Sequence, residues 1–174
     1  SPAKVTLEAA MTVYLDYNAT APMLSAVIGV MTDVMRETGN ASSVHQFGRR
    51  ARTHVESARR DVAALIGARA QNVVFTGGGT EANNLALVGL VDLENGGGDS
   101  GRRCVIVSAT EHPSVLQAAP NVEIAPVDAS GRIDLAALDA LLSKNKEPAL
   151  VSVMAANNEV GILQPISDIA KLAH

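Results

Sequence analysis

The stretch CVIVSATEHPSVL, residues 104–116, passes from one kind of secondary structure into another. CVIVS is a short, near-continuous run of apolar and β-branched residues, the pattern of a strand covered on both faces. Pro113 suits the first position of a helix, where its missing N–H costs nothing and its fixed φ is already helical. Three further segments read as strands: NVVF at 72–75, VEIAPV at 122–127 and ALVSVMA at 149–155. Helical stretches separate most of them, at 81–94, 114–119 and 134–143, the last with Asp134 as its N-cap. Upstream, Val27, Ile28, Met31 and Met35 follow Leu24 at helical spacing up to a stop at Gly39. A second helix carries Ala51, Val55, Ala58, Val62 and Leu65 on one face, with Gly67 just beyond. Both apolar faces are expected to lie on a core. The alternation argues for an α/β domain with a largely parallel sheet.

Composition agrees. The chain of 174 residues is 47% hydrophobic, enough to bury one sizeable core, and its length fits one domain or a large part of one. Its only aromatic residues are Tyr14, Tyr17, Phe47 and Phe75, so the core is expected to be aliphatic, as suits helices on a parallel sheet. A net charge of −4, spread along the chain, argues against a general nucleic-acid surface. Cys104 is the single cysteine, which rules out an internal disulfide and suits a reducing compartment. No apolar run approaches the roughly 20 residues of a membrane span. The N-terminus lacks the pattern of a signal peptide, so a cytoplasmic location is expected. Residues 1–12 show neither strand nor helix logic and read as a lead around a natural start at Met11.

In such folds ligands gather beyond the C-terminal ends of the strands, and three polar segments fall there. TGGGTEANN, 76–84, places three glycines before a helix, whose first amides and positive dipole end suit an anion. It has neither the Gly-Lys-Ser/Thr of a Walker loop nor the spacing of a dinucleotide fingerprint; an anion site and a tight strand-to-helix turn both remain open. In ATEHPSV, His112 sits where the start of a helix disfavours a charged imidazolium. A structural role and a stacking or proton-transfer role both fit this histidine; a metal fits less well, since His45, His54 and His174 show no ligand spacing with it. ANNEVGILQP, 156–165, offers amides and a carboxylate that either bind a ligand or shape a turn through side-chain-to-backbone bonds. One shared pocket accounts for all three segments falling at the same end of successive strands.

Together VYLDYNATAP (13–22), GNASSVHQFGRRA (39–51), VVFTGGGTEANNLAL (73–87), SATEHPSVL (108–116) and VSVMAANNEVGILQPI (151–166) resemble, in order and spacing, the cysteine desulfurases. These are fold-type I pyridoxal-phosphate enzymes of the class V aminotransferase group, with a three-layer α/β/α large domain. The TEH and NNEVG segments are more similar to the nitrogen-fixation and iron-sulfur-cluster branch than to the sulfur-mobilisation branch. The resemblance implies that Gly79 and Thr80 hold the cofactor phosphate. It also implies that His112 stacks on the pyridine ring and takes part in proton transfer, and that Asn158 hydrogen-bonds the ring hydroxyl. It further implies L-cysteine as substrate, alanine as product, a sulfur-acceptor or iron-sulfur scaffold protein as partner, and a homodimer. No metal, nucleic acid or membrane is implied.

Residues 13–38 would then be an N-terminal segment and helix that packs with a small domain, and 39–174 the N-terminal part of the large, cofactor-binding domain. Asn40-Ala41 departs mildly from a common Asn-Pro. The larger departure is length, since proteins of this group continue for about as long again beyond the position of His174. That further part carries the aspartate facing the pyridine nitrogen, a glutamine near the ring, the lysine that anchors the cofactor covalently, an arginine for the substrate carboxylate and the sulfur-accepting cysteine. Lys4, Lys144, Lys146 and Lys171 sit at no strand end beside the three motifs, and Cys104 opens an apolar strand as a core residue does. The polypeptide by itself is therefore expected to turn over nothing, and to expose enough apolar surface to associate. The alternatives are another class V lyase, such as a selenocysteine lyase, and a non-catalytic scaffold fragment.

Overall fold

The computed structural model describes residues 13–91, 101–102, 104–119 and 122–174. The expected lead at 1–12 and the end of the expected helix at 92–94 lie outside the described residues. The chain divides into two compact units at Val73/Val74.

The first unit holds two helices, α1 (Ser25–Met35) and α2 (Gln46–Leu65), and a 3-10 turn, Ala70–Asn72. The His45 imidazole caps α2 by accepting from the Gly48 amide, and Gly67, at φ 66°, ends it in the left-handed conformation that glycine adopts without penalty. The two helical faces are not core faces here. No residue of α1 is buried, and in α2 only Gly48 and Ala63 are, while Val55, Val62 and Leu65 stay exposed. Two helices and a turn do not supply enough opposing surface to cover both stripes.

The second unit is a parallel sheet between helices. Its elements are α3 (Gly79–Gly89), β1 (Cys104–Ser108), α4 (Pro113–Leu116), β2 (Val122–Ala125), α5 (Leu135–Lys144), β3 (Ala149–Ser152) and α6 (Ile166–Ala173). The strand order is β2-β1-β3 and both pairings are parallel, with Val105 opposite Val122 on one side and Leu150 on the other. The alternation of β1 separates two cores. Val105 and Val107 pack with Leu87 and Val91, at and just beyond the end of α3, and with Val115 of α4. Ile106 packs on the opposite face with Ala125, Ile133, Leu138 of α5 and Ile169 of α6. Every residue from Val105 to Ser108 is buried, as a central strand covered by helices on both faces requires. Asp134 caps α5 as its sequence position implies, its carboxylate accepting from the Ala136 and Ala137 amides at 2.9 and 3.0 Å.

NVVF at 72–75 is not a strand. Its backbone leaves the 3-10 turn extended at Val73, yet it joins no sheet among the described residues, and the Val73 carbonyl accepts from the Arg59 guanidinium instead. Extended backbone and β-branched residues are not sufficient for a strand, which also needs a neighbouring strand edge brought into register beside it.

Candidate functional site

The glycine-rich loop enters α3 without a side-chain cap at Gly78. Glu81, in the first turn, reaches back to accept from the Gly77 amide at 2.6 Å, and Thr76 Oγ1 donates to the Gly78 carbonyl. Gly78 is extended, at φ 171°, none of Gly77, Gly78 and Gly79 lies in the left-handed region, and a Cβ at Gly78 or Gly79 would meet nothing within 4 Å. Neither backbone conformation nor internal packing therefore demands glycine at those two positions. What their missing side chains leave is open access to the amides of the first turn. The Gly79 and Thr80 amides and the Thr80 hydroxyl have no partner among the described residues, whereas the Thr80 carbonyl accepts from Asn84 Nδ2. This is the arrangement that favours an anion at a helix start.

His112 follows the C-terminal end of β1. Its backbone is extended, at φ −64° and ψ 147°, and it is the N-cap of α4, with Pro113 at the first helical position as expected. Its Nδ1 accepts from the Ser114 amide at 3.1 Å and lies 2.8 Å from Ser114 Oγ. Thr80, Asn84, His112, Ser114 and Gln117 line one open cavity of about 340 Å³. Two of the residues singled out by sequence, Thr80 and His112, thus share a wall, and Gly79 is the neighbour of the first. A larger hollow, about 410 Å³, lies around Arg102, Pro148 and Leu150 at the other end of the strands, away from where parallel sheets take ligands.

Asn158 lies apart from that cavity, exposed on the loop after β3. Its neighbour Asn157 is the buried one. The Asn157 amide nitrogen donates to the Thr110 carbonyl at 3.0 Å, and its oxygen accepts from the Glu159 and Val160 amides at 2.8 and 3.0 Å. It ties the loop that bears Asn158 to the loop that bears His112. Glu111 makes a second tie, its buried carboxylate accepting from the Met154 amide. Burial pushes its carboxyl above the usual range, and hydrogen bonds from the Met154 and His112 amides partly offset this. Sequence reasoning missed Glu111 and Ser114 as holding residues, since the segment that contains them drew attention through His112 alone. Among the described residues no group of three or more His, Cys, Asp or Glu is placed to hold a metal.

Open amides and a hydroxyl for a dianion, with a flat imidazole on the same wall, are a donor set that fits a phosphate ester carried by an aromatic ring. Fold and site together define a three-layer parallel α/β domain with an anion-type cradle at the C-terminal end of its sheet. The chain belongs to the aminotransferase class-V family, whose sequence profile matches residues 13–174. It is 40% identical over 168 residues to an IscS-like cysteine desulfurase of Mycobacterium tuberculosis, covering 92% of this chain and 42% of that protein. It is 39% identical over 169 residues to the cysteine desulfurase IscS of Dictyoglomus turgidum, covering 92% and 41%. The structure of a NifS-like protein from Rickettsia africae is similar at a TM-score of 0.80 and 34% identity, covering 92% of this chain and 44% of that one. The chain thus spans about two fifths of the length of the curated relatives it matches.

Proposed function

We propose that this chain is the N-terminal part of a pyridoxal-phosphate-dependent cysteine desulfurase of the iron-sulfur-cluster branch, which takes L-cysteine to L-alanine and passes the sulfur to a protein acceptor. Gly79 and Thr80 hold the cofactor phosphate through main-chain amides and the Thr80 hydroxyl. His112 lies flat against the pyridine ring, and the Asn158 amide donates to the ring hydroxyl. The bound cofactor supplies an electron sink for bond breaking at the substrate α-carbon. This chain's own work is to bind and orient that ring, and the ties made by Glu111 and Asn157 keep the two loops in register while it does so. The observation that carries the reading is the shared wall of Thr80 and His112 beside unpartnered helix-start amides.

Under this reading residues 13–38 pack with a small domain and 39–174 belong to the large domain of a homodimer working in the cytoplasm. Among the described residues no helix is long and apolar enough to cross a membrane. Lys144, Lys146 and Lys171 line no part of the cavity. Cys104 is half-buried, its thiol pushed up by burial and by Glu123, so it is no ready sulfur acceptor. The 174-residue polypeptide alone should therefore release neither sulfide nor alanine from L-cysteine, yet should retain the cofactor.

Equilibrium dialysis of the chain against pyridoxal phosphate, read by absorbance, tests the binding. Saturable retention is expected, weakened about tenfold or more by Thr80→Val and by His112→Ala, the scale of one hydrogen bond to a charged group or one ring contact. No retention by the wild-type chain would reject the cofactor site and leave the scaffold reading.

A further inference from the structure

His112 is held by two residues outside the roles assigned so far. The Ser114 main-chain amide points at His112 Nδ1 from 3.1 Å. A main-chain amide can only donate, so Nδ1 must accept and carries no proton. Ser114 Oγ lies 2.8 Å from the same nitrogen; facing an unprotonated nitrogen, the hydroxyl has to donate as well. Its lone pairs are then free to accept, and Asn83 Nδ2 donates to it at 2.8 Å. The direction of the whole chain follows from one amide whose polarity cannot be reversed, running from Asn83 to Ser114 to His112. Asn83 is on α3, three residues after Thr80, and is half-buried. The relay therefore joins the helix that begins at the glycine loop to the histidine that lines the same cavity.

We propose that Ser114 and Asn83 are positioning residues that hold His112 as the neutral tautomer protonated on Nε2. This deepens the cofactor-site reading and rests on it for its consequence. An imidazole in this state meets a ligand ring as a neutral plate with one outward donor, Nε2–H. It cannot take up a proton on the outward side, because that nitrogen already carries one. His112 held this way offers a ligand ring a stacking face and an Nε2–H donor.

The tautomer is measurable on the 174-residue chain without cofactor or turnover. In a 15N-labelled sample at mildly alkaline pH, two-bond correlations from the carbon-bound ring protons distinguish the two nitrogens, and His112→Ala assigns the signal. The wild-type spectrum should show the Nε2–H form. Ser114→Ala should raise the Nδ1–H form roughly five- to tenfold, as expected for one net hydrogen bond lost, and Ser114→Thr should restore the wild-type pattern. Asn83→Asp should act like Ser114→Ala, since a carboxylate draws the Ser114 hydroxyl away from the ring, and it carries the test should Ser114→Ala fail to fold. A dominant Nδ1–H form in the wild type, or a ratio unmoved by both substitutions, overturns the proposal. Because the measurement needs no pyridoxal phosphate, a failed dialysis experiment leaves it standing, and the converse holds.

Discussion

Removing the Asn157 side chain tests whether the His112 loop and the Asn158 loop are one piece. Asn157→Ala deletes three hydrogen bonds, one to the Thr110 carbonyl and two from the Glu159 and Val160 amides. A net hydrogen bond is worth about 0.5–1.5 kcal/mol, and a group stranded away from water costs more. Glu159 and Val160 are exposed, so their amides can rehydrate, while the Thr110 carbonyl is half-buried and Asn157 itself only 8% exposed. The expected loss is therefore about 2 kcal/mol, near the lower end of the sum. For a chain of this length that is roughly a 4–8 °C fall in melting temperature. Since the chain has two units, hydrogen exchange resolved by residue is the sharper assay: protection at Glu159 and Val160 should fall with the global stability of the second unit. Asn157→Asp keeps an acceptor for both amides but gives up the donor to Thr110, so it should preserve their protection better than alanine does while still lowering stability. A loss below about 0.5 kcal/mol for Asn157→Ala with unchanged protection would refute the claim that this residue joins the loops.

Three further outcomes follow from named contacts. Glu111 holds its proton more tightly folded than unfolded, because burial disfavours the charge. Stability from this group is thus full below the ordinary glutamate range and is lost as pH rises through the raised folded value. Glu111→Gln keeps the acceptor for Met154, so it should raise the melting temperature at neutral pH and not at acid pH; no pH-dependent difference would count against a penalised charge. Gly48→Ala would place a Cβ 2.2 Å from the Ser43 carbonyl oxygen and 2.7 Å from that of Asn40, and should destabilise the first unit by roughly 1–3 kcal/mol; an unchanged melting curve would show that the 40–43 turn yields freely. Cys104, packed in the second core cluster with its thiol donating to Glu123, should react with a maleimide far more slowly in the native chain than in denaturant, and equal rates would contradict its burial.

What the sequence discloses of the fold depends on whether a segment's neighbours are local. β1 is legible because Val105, Ile106 and Val107 are apolar without alternation, which only a doubly covered strand tolerates. Asp134 and Gly67 are legible because a cap and a left-handed stop are decided within a few residues. Val73, Val74 and Phe75 carry the same β-branched and aromatic signal as β1 yet pair with no strand among the described residues, since pairing depends on an edge supplied from far along the chain. The helical stripes of α1 and α2 fail in the same way: periodicity states which face is apolar, and cannot state whether anything covers it.

The site divides along a similar line. Gly79, Thr80 and His112 stand out in the sequence because each has few structural reasons to be where it is, and the structure removes most of those that remain: no left-handed backbone at Gly77, Gly78 or Gly79, no partner among the described residues for the Thr80 amide and hydroxyl, and an open cavity at His112. In ANNEVG the two asparagines looked alike, and the choice between binding a ligand and shaping a turn was open. Asn157 does the second, with all three of its bonds going to backbone. That leaves Asn158 as the exposed amide of the pair, held in place by a neighbour with no freedom of its own. Ser114 and Asn83 carried no signal at all, being a small polar residue after a proline and one of two adjacent amides on a helix. Their part emerges from the direction of a single amide, and direction is a property of the folded chain that residue types do not encode. The same logic separates holding from reacting in this domain. The groups with the most internal partners, Asn157, Glu111 and Ser114, fix the loops, and the groups left with donors facing outward, the Gly79 and Thr80 amides and His112 Nε2, are those a ligand can engage.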